Sequence, residues 1–409
     1  MKKNIVLVMV VLALLVAPAF ADPTFSGEFK YTMVYDLDDD AKTADQPWEK
    51  VGSKASIAFG TDLDDFTSVT AEMKADEDKE VKVQNLILSQ DLTGVLGIEG
   101  PVTFSYKLGV QDYEVQNNAI MGDADAKVGT MVVLADDATA DNPRKGSDSK
   151  LFGFVSTIGI MDVLNIDVVA YPETLLDDMK NDEEFGVNVY GTFGPVALSA
   201  YYVKSVPFEY RNGDNDDDLD NKGDMAGFNS LVTFSDNFSA SVLVEARLED
   251  KGTDVEGSKA VEKTTTKAGV AAAYTLGGLT TKLGADVAKL GADDFDLVDN
   301  LDVDLILGYA LDTFNAGFEL KTSLDDFAAE SSAKVKFDYT IADAKFFASA
   351  KAKTLKDFKA EEDLAYDFGV SYAAGAATFN VGYANGADTL DTIDKNHDNG
   401  VFFQVVASF

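Results

Sequence analysis

Val401-Phe402-Phe403-Gln404-Val405-Val406-Ala407-Ser408-Phe409 closes the chain, and its reading decides the fold. The odd positions are Val, Phe, Val, Ala and Phe. The even positions carry Gln404 and Ser408, with Phe402 and Val406 blurring the alternation. Period two places successive side chains on opposite faces of a sheet. Chain ends fray unless they are tied down, so a strand that runs to a terminal aromatic needs a partner strand. A closed barrel supplies one, because its last strand pairs with its first and no edge is left open.

The other end of the chain agrees. Lys2 and Lys3 precede an apolar run over Ile5–Val16, and Ala19-Phe20-Ala21 offers the small-x-small pattern of signal cleavage. Residues 1–21 read as a secretion signal, and 22–409 as one mature domain. The run is shorter than the roughly 20 apolar residues of a membrane-spanning helix. No Cys stands at the cleavage point, or anywhere in the chain. Lipoprotein processing is therefore excluded, and the fold rests on burial and backbone pairing without disulfides.

The same alternation recurs between these ends. Phe25, Gly27, Phe29, Tyr31 and Met33 oppose Ser26, Glu28, Lys30 and Thr32. Further on, Phe238, Ala240, Val242 and Val244 oppose Ser239, Ser241, Glu245 and Arg247, and Val335, Phe337 and Tyr339 oppose Lys334, Lys336 and Asp338. Short turns rich in Gly, Asp, Asn and Pro fall at Asp62–Asp65, Gly194-Pro195, Ser235–Asn237, Gly277-Gly278, Asp312-Thr313, Ala342-Asp343 and Ala374-Gly375. Long polar stretches separate the hairpins, among them Leu37–Glu49, Asp112–Ser149, Pro172–Glu183, Pro207–Met225, Glu249–Lys263 and Asn385–Asn399. This parity predicts an all-β, transmembrane, antiparallel up-and-down barrel. It has about 16–20 strands, short periplasmic turns and long external loops. Glu80–Ser89 and Leu151–Thr157 are its weakest strands. Val128–Leu134 is apolar but lies inside the longest loop and is left out of the count. Aromatics cluster near the segment ends, as membrane-interface girdles require.

The signal, the final strand, the loop parity and the size together resemble the bacterial outer-membrane barrels, and porins in particular. The resemblance implies a cell outer-membrane location and contact with outer-membrane lipid. It also implies Phe409 as the signal to the barrel-assembly machinery, and homotrimers are common among such proteins. The chain departs from general porins in having only Arg144, Arg211 and Arg247, so an arginine cluster cannot be built. It also lacks a Pro-Glu-Phe-Gly-Gly run. Asp112–Ser149 is the candidate for a constricting loop on its length alone, and an ordinary external loop is the default.

A polar interior of this width cannot pack shut, and a barrel of about 16–20 strands leaves a water-filled channel unless plugged. The function that follows is porin-type passive diffusion of small hydrophilic solutes and ions. The rival is a non-conducting barrel that displays its loops as an adhesin or structural protein. Candidate pore-lining residues are Glu28, Lys30, Lys107, Glu245, Arg247, Lys282, Asp302, Asp304, Glu319, Lys334, Lys336 and Lys351. The formal charge of −37 becomes −39 once Lys2 and Lys3 are removed. Most of the acids fall in loops such as Asp214–Asp220, so the strand faces are nearly balanced. A weak cation preference that fades with salt is expected.

Catalysis is not expected. His397 is the single histidine, and no metalloprotease, nucleophile-elbow, phosphate-loop or cysteine-based metal motif is present. Asp394–Gly400 resembles a Ca²⁺ loop, but its glycine is displaced and no Glu follows at the required spacing. No cofactor or metal site is expected beyond divalent cations held loosely by acidic loops. The sign of the charge argues against nucleic acid.

Overall fold

The computed structural model describes residues 24–37, 49–75, 81–121, 127–128, 130–134, 145–171, 184–204, 224–247, 265–290, 296–297, 300–323, 331–385 and 399–409. The expected signal peptide, His397 and most of the acid-rich loops lie outside them.

Twenty strands form one antiparallel ring. They begin with β1 (Thr24–Asp36), β2 (Glu49–Asp64), β3 (Thr67–Ala75), β4 (Val81–Asp91) and β5 (Val102–Gln111). The ring continues through β6 (Lys145–Ile160), β7 (Leu164–Tyr171), β8 (Glu184–Phe193), β9 (Val196–Lys204) and β10 (Met225–Ser235). Next come β11 (Phe238–Arg247), β12 (Thr265–Leu276), β13 (Leu279–Leu290), β14 (Leu301–Ala310) and β15 (Phe314–Ser323). The last five are β16 (Ser332–Ile341), β17 (Ala344–Ala352), β18 (Leu364–Ala374), β19 (Ala377–Asn385) and β20 (Asn399–Ser408). Each strand pairs with its sequence neighbours, and β20 pairs with β1 to close the ring. Of the weak segments of the sequence, Val81–Ser89 and Leu151–Thr157 fall within β4 and β6, and Glu80 lies outside the described residues. Thr130–Leu134 is also a strand. It pairs with the outer extension of β6 and stays outside the ring.

The closing strand settles its blurred alternation. Phe402 and Gln404 are buried on the inner face. Phe402 packs with Val34, Ala384 and Phe347, in the space that Gly382 leaves open. Gln404 accepts from Asn380 (2.9 Å) and donates to Thr32 (3.1 Å), which ties β19, β20 and β1 together. Phe409 takes the outer face. Its amide and carbonyl exchange hydrogen bonds with Gly27, and its ring occupies the space a Cβ at Gly27 would need.

The outer face is apolar and exposed, with Phe185, Phe228, Val242, Val270, Leu283, Phe337 and Val381 along the strands. Near the short-turn rim it carries a band of aromatics that includes Phe25, Phe193, Phe234, Tyr274, Tyr309, Tyr339 and Tyr372. The turns follow backbone chemistry. Gly194, Gly277 and Gly375 have φ near +60°, the left-handed region where glycine has no Cβ penalty. Met161 and Asp162 both adopt positive φ, as a two-residue primed turn requires. Between β4 and β5 a short helix, α1 (Leu92–Leu96), is capped by Asp91, whose Oδ1 accepts from the Thr93 amide at 2.9 Å.

Candidate functional site: an inward segment across the barrel

After Gln111 the chain leaves the ring and crosses the interior. Residues 112–121 run along the inner face from β7 to β13. An extended segment that leaves a sheet loses its ladder, so its backbone groups need other partners. Side chains of the wall provide them. Asn229 on β10 accepts from the Asn118 amide at 2.9 Å and donates to the Gln116 carbonyl at 3.0 Å. Ser241 on β11 accepts from the Ile120 amide at 2.9 Å.

Two further anchors are made by the segment's own side chains. Tyr113 Oη donates to Asp167 Oδ2 at 2.7 Å, and Asn188 Nδ2 donates to Tyr113 Oη at 3.1 Å. The other Asp167 oxygen accepts from Thr157 at 2.7 Å, and Ser199 donates to Asn188 at 2.8 Å. Burial, followed by the charge and hydrogen bond of Asp167, raises the Tyr113 hydroxyl well above the ordinary tyrosine range, so it stays a donor. Val115 is the second anchor. It packs with Val155, Val169, Tyr171, Tyr201, Val203 and Met225, all buried. Tyr171 and Tyr201 lie in space left by Gly153 and Gly227, where a Cβ would sit within 2.2 and 2.3 Å of the rings. At the far end Met121 rests on Gly284. Residues 112–121, the first part of Asp112–Ser149, are thus an inward, anchored segment and not an ordinary external loop.

The candidate residues of the sequence are distributed around the ring. Glu245 is buried beneath the segment, accepts from Tyr201 Oη at 2.8 Å and stands opposite Lys267. Arg247 follows two residues later on β11. Asp286 faces Asp302, Asp304 faces Lys321, and Glu319 stands between Ile306 and Lys334. Lys282 faces Ala273 and Ile306. Lys334 stands directly opposite Lys351, with Lys336 opposite Ser349. Glu28 and Lys30 lie opposite Ser56 and Lys54, and Lys107 opposite Ser89 and Val155. All twelve hold the register of the interior face, but they do not converge on one point.

The sequence reading gave no role to Asp167 or Ser241, and it overlooked Tyr113, Asn188 and Asn229. Their one signal was small polar side chains at the inner positions of successive strands.

These features define a closed antiparallel up-and-down β-barrel with a segment folded inside it. No protein-family model and no curated protein matches the sequence. Among solved structures the chain is similar to OpdQ of Pseudomonas aeruginosa, at 11% identity and a TM-score of 0.46, over 95% of this chain and 97% of that one. It is also similar to a mutant of the Rhodobacter blastica porin, at 13% identity and a TM-score of 0.40, over 95% of this chain and all of the other.

Proposed function

We propose that the protein is an outer-membrane pore for passive diffusion of small hydrophilic solutes and ions. One observation carries the reading: the barrel is apolar outside and polar inside. A protein surrounded by water rarely exposes so continuous an apolar surface. Bilayer hydrocarbon is its natural surrounding, and a charged interior of twenty strands holds water. The inward segment covers the wall from β7 to β13 and leaves the arc from β14 through β20 to β4 facing the lumen. Diffusion through the remaining passage is limited by the size and charge of the solute.

The acid-rich segments between the hairpins add a weak cation preference at low ionic strength, and they hold divalent cations loosely. A specific sugar channel lined by tyrosine is disfavoured. On the inner face the described tyrosines Tyr113, Tyr171, Tyr190 and Tyr201 are built into the anchors of the segment, Tyr190 through its hydrogen bond to Asp167. Single-channel recording of the purified full-length protein in planar bilayers tests the reading. Stepwise conductance is the expected result. A barrel that inserts but remains electrically silent overturns it in favour of the display role.

A further inference from the structure

The connection between β4 and β5 is unlike its neighbours at the short-turn rim. Gly194-Pro195, Gly277-Gly278 and Asp312-Thr313 are tight turns of glycine, proline and polar residues, whereas Leu92–Pro101 is long and apolar, with Glu99 its only charge. It is also rigid. Asp91 caps the start of α1, and Gly97 closes its end at φ +61°. There the Ile98 amide donates to the Thr93 carbonyl at 3.0 Å, and the Gly97 amide to the Gly94 carbonyl at 3.1 Å. These are the paired bonds of a Schellman cap.

Packing fixes how α1 sits on the wall. Thr93 is buried against β5, where its Oγ1 accepts from the Phe104 amide at 2.5 Å and donates to the Phe104 carbonyl at 3.4 Å. It thereby continues the β4 ladder, which ends at Asp91 opposite Ser105. The Phe66 ring lies on Gly94, where a Cβ would come within 2.1 Å of it. With Thr93 and Gly94 against the wall, Val95, Leu96 and Ile98 are left 47%, 67% and 46% exposed. A surface helix in water does the reverse and buries its apolar stripe.

We propose that α1 and Ile98 form a membrane foot, with Val95, Leu96 and Ile98 seated in the acyl–headgroup boundary of a phospholipid leaflet. Continuity with the outer wall identifies the occupant. Phe66 and Phe104, the residues that hold α1, are themselves 42% and 39% exposed. Phe104 lies on the face of β5 opposite Lys107, and with Phe66 it extends the aromatic band of the short-turn rim. The apolar surface of α1 thus joins a wall that is itself apolar. A capped, apolar ledge at that boundary gains by leaving water. The foot rests on the membrane reading of the barrel and adds to it a contact made beside the wall, which holds β4 and β5 at a fixed depth.

The test uses the full-length protein in phosphatidylcholine vesicles, with Trp48→Phe removing the single tryptophan and one indole introduced at a time. Leu96→Trp should give blue-shifted emission that is quenched by bromines attached near the headgroup end of the acyl chains. Its quenching by aqueous iodide should be several-fold lower than that of Asp236→Trp, in an exposed tight turn. Val95→Trp is the second probe if Leu96→Trp does not fold. Val381→Trp, on the outer wall, reports the barrel itself through bromines attached deeper. Iodide quenching of Leu96→Trp equal to that of Asp236→Trp, with Val381→Trp quenched by bromine, overturns the foot and leaves the membrane reading standing. A blue-shifted Leu96→Trp indole that neither quencher reaches is covered by a second copy of the chain, which also overturns the foot. Failure of bromine to quench Val381→Trp overturns the membrane reading and the foot with it.

Discussion

The wall under the inward segment and the wall facing the lumen are built from the same kind of strand but use their inner positions differently. From β7 to β11 those positions hold Asp167, Asn188, Ser199, Asn229, Ser241 and Glu245, buried and hydrogen-bonded. On β16, β17, β1 and β2 they hold lysines at short intervals. One arc uses its polarity to hold chain in place, and the other presents charge to the interior. Net charge is therefore a poor guide to the interior, because several of its acids are structural.

The difference can be broken most severely at Val115. Val115→Asp places a charge among Val155, Val169, Tyr201 and Met225, at a cost of about 3–5 kcal/mol. The segment should leave the wall while the ring persists, seen as lost hydrogen-exchange protection confined to residues 112–121. Next in size, Gly227→Val drives a methyl into the Tyr201 ring and should destabilise the barrel by about 1–3 kcal/mol in urea unfolding. An equal loss in Gly308→Val, where the nearest atom to an added Cβ is 3.9 Å away, would point away from the ring contact.

Asn229→Ala removes both bonds to the segment backbone and should weaken its attachment by about 1–3 kcal/mol, read from the same exchange. The anchor at Tyr113 adds a pH prediction. Its folded-state pKa is raised, so its contribution is complete below the unfolded value near ~10 and is lost only as pH rises through the folded value. Protection of the segment should stay flat from neutral pH to about 10, and a decline between pH 7 and 9 would contradict the anchor. The smallest effect belongs to the open wall. Lys74→Ala breaks an exposed pair with Glu72 and should change stability by no more than about 1 kcal/mol.

The ring was legible because its signals are local. Period two in Phe238–Arg247 or Ser332–Ile341, and glycine at turns such as Gly194 and Gly277, can be read within ten residues. The turn at Met161-Asp162 escaped notice because neither residue is a glycine, although both take the conformation glycine favours. Phe402 blurred the last strand for a physical reason: an inner-wall aromatic fits where Gly382 leaves room. The inward segment was the least legible part. Its contacts join residues 54 to 121 positions apart, from Tyr113 with Asp167 to Ile120 with Ser241, and no periodicity within 112–121 announces them.

Single-channel conductance of the wild-type protein beside Val115→Asp tests the central claim most directly, since it asks whether the barrel conducts and whether the segment narrows it. The account predicts discrete steps for the wild type and larger steps for the variant in the same salt. Steps of equal size, or a silent wild type, would contradict it.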